Sequence, residues 1–453
     1  MSSMRVPLGA DFTMLKHRPF ALLLCARTAS MMAAAFAPVA LAFGVLNLPG
    51  ATASTLSVVL TAEAVPMVLF MLLGGVIADR LPRQRVMMAG ELMNAAAFAT
   101  LGCILLSHPV ISAGRTAPVT AMAGAAAITG IGMAMLFPAL TGIIPEVVPA
   151  DRLQTGNALL GLAANTARIA GIVASGAAVV WIGGGWALIA SAVLFTGSAV
   201  LISGIRLARN LRESTASVLT DLKEGWDEFR SHQWIWVVVA QFSVLVMALQ
   251  AAHGVLGPVV AKADLGGAPA WSAILAGEAV GMVVGVLVAM RLRPRRPILL
   301  ATLLTFPAAL PYLLLGAGAP LWSIVLAAFG LGFCFDIFGV LWQTTMQREI
   351  PPEALSRVSS YDALGSFMFG PIGLMVAGPV SLLIGPKTAL IACGTLVVLT
   401  TLAALAAPEV RNLRAPDERT PVGASAQPEV GGLPEVSNPG SAVDLRMPGR
   451  TDA

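Results

Sequence analysis

"EVVPADRLQTGNALLG", Glu146–Gly161, and "EIPPEALSRVSSYDALGS", Glu349–Ser366, stand some two hundred residues apart and read alike. Each opens on an acid and a Pro-led turn. A basic residue near a Leu and a few small polar residues follow, and then Asn or Asp precedes Ala-Leu. Both passages lie between long apolar runs. A polar phrase stated twice in so apolar a chain implies that the chain is built from two copies of one plan.

The surrounding composition says where that plan is carried out. Of 453 residues, 57% are hydrophobic and 11% charged, and the mean hydropathy is +0.82. That balance excludes an ordinary soluble domain. Apolar windows of about 20 residues, the length that spans a bilayer as a helix, recur along the chain. Twelve are expected, separated by short loops rich in Arg, Pro or Gly. The runs are continuously apolar without period-two alternation, so helices are expected and not a barrel. The fold class is therefore all-α integral membrane, with twelve transmembrane helices in two pseudo-symmetric six-helix halves. The expected organisation is a cytoplasmic N-terminus (1–19), a first half (20–205), a linker (206–233), a second half (234–407) and a disordered tail (408–453).

Charge placement gives the orientation. Of the 28 Lys and Arg, 23 fall in segments that are inner if the N-terminus is cytoplasmic. Arg115, Lys262 and Lys387 fall in outer loops, and Arg27 and Arg168 fall inside spans. The positive-inside rule then places both termini in the cytoplasm of a multi-pass membrane protein. The net charge of +4 reflects this loop bias and implies no nucleic-acid partner. No cleavable signal is expected at the N-terminus, and the first span is expected to be retained. Cys25, Cys103, Cys334 and Cys393 all lie in apolar runs without metal-pair spacing, and read as small buried residues. No cofactor or metal is implied.

The repeat extends beyond the opening passages. "APV" at Ala37–Val39 is echoed by "GPV" at Gly257–Val259, which makes Pro38 and Pro258 candidate helix hinges. "GGVIADRLPRQR", Gly74–Arg85, has a basic, Pro-broken counterpart in "RLRPRRP" after the eighth span. Parallel repeats of this kind build transporters with a substrate site between the halves.

"GGVIADRLPRQR" also resembles the loop 2-3 signature of the major facilitator superfamily. Together with "PMVLFMLLGGVIADR", "DLKEGWDEF" and both opening passages, the chain from about Phe12 to Arg414 resembles the macrolide-efflux and enterobactin-exporter branch of drug:proton antiporters. The resemblance implies a cytoplasmic gating latch at Gly75, Asp79, Arg80, Arg83 and Arg85. It also implies a bacterial plasma membrane, alternating access, export of a small apolar or amphipathic compound (a drug, macrolide or siderophore-like molecule), and proton coupling. Two departures stand out. Ala33, Ala34 and Ala35 occupy the place where relatives carry Gly-Asp-Gly, and the fifth span lacks the Gly-Pro of the antiporter motif. An uncoupled facilitator or importer, or a non-transporting receptor, is the alternative. No Walker A motif, G-x-S-x-G elbow or H-E-x-x-H occurs, so an enzyme is not expected. The expected partners are the substrate, protons and the bilayer, and the expected state is a monomer.

Charges inside spans are costly and mark function. Arg27, Glu63, Arg168, Glu278 and Asp336 are singled out on that ground, and His253 as a polar contact in the seventh span. Asp336, deep in the tenth span, is a candidate to carry a proton or receive a cationic substrate, with an ion pair to a neighbouring helix as the alternative. Small residues recur every four positions on the fifth span (Ala163, Ala167, Gly171, Ser175) and on the eighth (Ala273, Gly277, Gly281, Gly285, Ala289). Such stripes let helices approach closely. Since these spans meet across the halves in the family fold, Arg168 and Glu278 become candidate ion-pair partners, with independent neutral contacts as the alternative. In the linker, Val218, Leu222, Trp226 and Phe229 share one face of an amphipathic helix expected on the inner membrane surface.

Overall fold

The computed structural model describes residues 17–111, 117–148, 152–205 and 226–415; the side chains of 71–80 are among those outside the description. Among the described residues, twelve helices are long and apolar enough to cross a membrane. They are α1 (Arg18–Leu46), α2 (Ala53–Arg80), α3 (Arg83–Leu106), α4 (Ala117–Val147), α5 (Leu153–Trp181) and α6 (Gly183–Ser203). The second set is α7 (Gln233–Asp264), α8 (Ala268–Ala289), α9 (Pro297–Gly316), α10 (Leu321–Glu349), α11 (Pro352–Phe367 continued by Gly370–Ile384) and α12 (Pro386–Leu405).

Local chemistry sets the helix ends. Pro at the first or second helical position opens α1, α8, α9 and α12, where a missing N–H costs nothing. Gly385, at φ 84°, turns the chain between α11 and α12 in a backbone region closed to most side chains. Past α12 the described chain forms a short helix, α13 (Pro408–Asn412), whose Glu409 Oε2 accepts a hydrogen bond of 3.0 Å from the Trp234 N–H. The expected tail is therefore ordered at its start; residues 416–453, like 206–225 of the linker, lie outside the described residues. Of the linker stripe, Trp226 and Phe229 are described, and both pack on Tyr361 of α11, with ring centroids at 5.5 and 6.0 Å.

Packing repeats between the two sets. In the first, α1 packs on α5 and α6, α2 on α4, and α3 on α4 and α6. In the second, α7 packs on α11 and α12, α8 on α10, and α9 on α10 and α12. Backbone contacts make the correspondence residue-specific. Gly171 of α5 abuts the carbonyl of Met32 on α1, and Gly373 of α11 abuts that of Met247 on α7. Gly130 of α4 abuts the carbonyl of Glu63 on α2, and Gly332 of α10 abuts that of Glu278 on α8. The offset is thus 215 from α1 and α2 to α7 and α8, and 202 from α4 and α5 to α10 and α11. The shift falls between the third and fourth helices, where the first set has the longer connection.

These contacts correct the reading of the small-residue stripes. Gly277, Gly281 and Gly285 face Val325, Phe329 and Phe333 of α10, and Gly171 and Ser175 face α1, with Ser175 Oγ donating to the Phe36 carbonyl at 2.6 Å. Both stripes therefore pack inside their own set. The sets do meet along α5–α8, as expected, but through Gly176 on Ser272, and also along α2–α11, where Gly378 packs on Ser54 and Ser57. The cysteine reading also needs correction. Cys334 is buried and Cys393 partly so, but Cys25 and Cys103 are exposed on the outward surface. A thiol is apolar enough to be tolerated there.

Candidate functional site

Between the two sets lies a cavity of 560 Å³, walled by α1, α2, α5, α7, α8 and α11, with Phe98 of α3 and Met133 of α4. That volume suits a drug-sized compound. Its wall is mostly apolar (Met31, Met67, Ile172, Trp271, Leu275 and Leu374 among others) and carries four ionisable side chains: Glu63, Arg168, His253 and Glu278. The sequence singled out all four, and the fold brings them to one space. The reason is rotational. Arg168 and Glu278 each follow a stripe position by one residue, which turns them about 100° away from the packing seam. Two candidates stand elsewhere. Arg27 lies one helical turn from the wall residue Met31, toward the termini, and Asp336 on α10 lies outside the cavity wall, though the charges of Arg168 and Glu278 both reach it.

Glu278 finds its close partner in His253. Oε2 lies 3.7 Å from His253 Nδ1, which is also 3.2 Å from the Tyr312 hydroxyl, while the imidazole meets Trp271 edge to face at 5.5 Å. The structure gives Glu278 this neighbour in place of Arg168. His253 sits in a π turn, Ala251–Leu256, inside α7. At an offset of 215 its counterpart in α1 is Pro38, so "APV" and "GPV" are not equivalent positions. Both helices are loosened at one level beside the cavity, α1 by a proline that cannot donate to the Ala34 carbonyl and α7 by a π turn. Pro258 follows the π turn at the start of the next helical stretch and also lines the cavity.

Contacts between the sets are found on the face opposite the termini. Ser57 Oγ donates to the Leu374 carbonyl of α11, and Lys262 Nζ donates to the Leu46 carbonyl at the end of α1. Lys262 is thus part of α7 and bridges to the first set. Nearby, Lys387 and Asp264 form a salt bridge of 3.0 Å. On the termini face, the side chains of Gly75, Asp79 and Arg80 lie outside the described residues. Arg83 and Arg85 belong to the first turn of α3, with Arg85 exposed. Between them Gln84 donates to the Ile202 and Ser203 carbonyls at 2.9 and 3.2 Å, which ties this loop to the end of α6.

Three features escaped the sequence reading. Glu91 of α3, 2% exposed, is a further charge within a span. Asp362 of the opening passage accepts hydrogen bonds from Trp342 Nε1 at 3.0 Å and Ser366 Oγ at 3.3 Å, the first of which fixes α11 to α10, while Asn157, which matches it in the sequence passages but not at the offset of 202, is exposed. The equivalence of Glu63 and Glu278 was also missed, although "AEAV" (Ala62–Val65) and "GEAV" (Gly277–Val280) announce it at an offset of 215.

Comparison with known proteins agrees with this architecture. Residues 20–371 match the profile of the Major Facilitator Superfamily. Macrolide efflux protein A of Streptococcus pyogenes is 22% identical over 352 residues, 75% of this chain and 84% of that one. An uncharacterized MFS-type transporter, YvqJ of Bacillus subtilis, is 22% identical over 276 residues; the match spans 59% of this chain and 65% of that relative, less than two thirds of its length. Among solved structures, the nucleoside transporter NupG superposes with a TM-score of 0.68 at 14% identity, over 86% of this chain and 98% of that one. A POT family transporter in complex with 5-aminolevulinic acid gives 0.67 at 12% identity, over 87% and 96%. At these identities the structures speak for the fold alone.

Proposed function

Because the chain belongs to the major facilitator superfamily, whose members are membrane transporters and not enzymes, we propose that it exports a small apolar or amphipathic compound by alternating access, coupled to proton entry. The observation that carries this reading is the pair of equivalent glutamates, Glu63 and Glu278, facing a largely apolar cavity from opposite sets of helices. An apolar wall takes up the body of the compound, and the carboxyls hold either a cationic group of it or a proton. Arg168 supplies a countercharge that a carboxylate needs when neither is bound, and the His253 ring lies beside Glu278. Asp336, within electrostatic reach of Arg168 and Glu278, acts on the cavity through them. The similarity to macrolide efflux protein A supports the outward direction. The basic loops support an orientation with both termini in the cytoplasm of a bacterial plasma membrane, and the twelve-helix unit works as a monomer in this reading. The latch at Gly75, Asp79, Arg80, Arg83 and Arg85 closes the termini face when the far face opens.

The test is flux in proteoliposomes with a panel of macrolide, dye and siderophore-like compounds, for the wild type, Glu278→Gln and Asp336→Asn. Accumulation driven by a pH gradient, lost in Glu278→Gln and weakened in Asp336→Asn, is the expected result. Flux that ignores the gradient would replace antiport by facilitation, and no flux for any compound would refute this substrate class.

A further inference from the structure

The first set of helices contains a buried charge that transport through the cavity does not use. Glu91 of α3 is 2% exposed and lies outside the cavity wall. Arg27 of α1 is near enough for its charge to act on the carboxyl, and Ser30 of α1 and Ser198 of α6 flank it. Even so, Glu91 Oε2 and Ser198 Oγ find no hydrogen-bond partner. Both face a void of about 10 Å³ that Arg27 also lines, which is close to the smallest space that admits one water. The other walls offer no charge: α4 gives leucines and α6, besides Ser198, an isoleucine. Among the described residues lining the void, Arg27 is the only other titratable group.

The second set shows what this place looks like when it serves packing alone. At the junction of α7, α9 and α12, the corresponding three helices of the second set, stand Gln241, Thr305 and Thr401; Gln241 and Thr401 lie one residue from the positions that the offsets of 215 and 202 pair with Arg27 and Ser198. Gln241 Nε2 donates to Thr305 Oγ1 at 2.9 Å and Thr401 Oγ1 at 3.2 Å, and the two hydroxyls are 2.9 Å apart. A neutral knot therefore suffices to join three helices here. The knot leaves one neutral oxygen, Gln241 Oε1, without a partner; a cation, a carboxyl and a water-sized void are more than the junction requires, and a buried carboxylate oxygen without a partner is costlier to keep than an amide one.

We propose that Glu91, with Arg27 and the void between them, is a proton-binding site of the first set, separate from the transport cavity. A hydronium ion gives its proton to the Glu91 carboxylate and leaves as water. On release the proton returns to water, and Arg27 again balances the carboxylate. Arg27 is partly exposed and one turn from the cavity wall, so the path to water runs past it. The site's part in coupling rests on the antiport reading above; proton binding itself does not.

The decisive variant transplants the neutral knot, Arg27→Gln with Glu91→Thr and Ser198→Thr, because the second set shows that these side chains can close such a junction. Infrared spectra of nanodisc-embedded protein over a pH series should show a carboxyl C=O band in the wild type that the triple variant and Glu91→Gln both lack, with the amide bands and thermal unfolding reporting an intact fold. Glu91→Asp should move that band without removing it, which covers the case in which the other variants misfold. In proteoliposomes, gradient-driven accumulation should fall at least tenfold in the triple variant. An unchanged carboxyl spectrum would overturn the proposal. A Glu91 band that titrates in a wild type whose flux ignores the gradient would leave the proton site standing and remove the antiport reading.

Discussion

The α2–α11 and α5–α8 seams are built alike and finished differently. In each, a serine of one helix packs against a glycine of the other, Ser57 on Gly378 and Ser272 on Gly176, at offsets of 215 and 202. Ser57 Oγ spends its proton on the Leu374 carbonyl across the seam, whereas Ser272 Oγ is buried without a partner. One seam is pinned by a hydrogen bond; the other relies on close packing. The alternating access proposed above requires both contacts to change. The comparison teaches that the repeated plan fixes where helices touch, while single side chains decide how firmly they hold.

The sharpest way to break the comparison is to remove its glycines. Gly171→Val and Gly373→Val each drive a branched side chain into a facing backbone carbonyl, and should cost stability equally, about 3 kcal/mol or more. A thermal unfolding series in detergent would read this, and clearly unequal losses would end the claim that α1–α5 and α7–α11 are equivalent.

Next come the paired glutamates. Glu278→Gln removes a carboxylate that lies 3.7 Å from His253, whereas Glu63 has Thr129 as its flanking polar group. Glu278→Gln should therefore lower gradient-driven flux more than Glu63→Gln, by about tenfold, equivalent to about 1.4 kcal/mol. Equal losses would mean that the histidine adds nothing.

A smaller difference is expected at the seams themselves. Ser57→Ala should cost about 0.6 kcal/mol, a usual value for an interhelical hydrogen bond in a membrane. Ser272→Ala, which discards an unpartnered hydroxyl, should be neutral or slightly stabilising. Calorimetry on the two single variants and the double variant would check both the sign and the additivity. The smallest effect belongs to Lys387→Ala: its bridge to Asp264 is exposed on both sides, so the loss should stay under about 1 kcal/mol and vanish in high salt.

Much of this could be read from residues in order. Twelve apolar runs give twelve helices because backbone groups in a bilayer have no other way to be satisfied. Glu63, Arg168, His253 and Glu278 were legible because polarity inside a span needs a cavity or a partner. What stayed hidden were choices of partner. The stripe Gly277, Gly281, Gly285 announces that a backbone comes close, and tertiary topology alone makes it the backbone of α10. Asp336 has the depth expected of a cavity residue, but depth does not give rotation about the helix axis. Glu91 went unremarked because a carboxyl two turns into a span passes for an interfacial one; its burial comes from α1, α4 and α6, which the linear chain does not show. Pro38 and Pro258 matched as letters, yet the contacts put His253 opposite Pro38.

That alignment has a consequence for ligand recognition. Pro38 leaves the Ala34 carbonyl without its usual amide, and Ala34 is in the cavity wall. The acceptor belongs to the main chain, so replacing side chains around the cavity leaves it in place. A compound bearing an N–H or O–H can bind it whatever the neighbouring residues become. An alanine scan of the wall would then leave a remainder of affinity that no single position accounts for, and restoring the amide with Pro38→Ala would be the substitution that uncovers it.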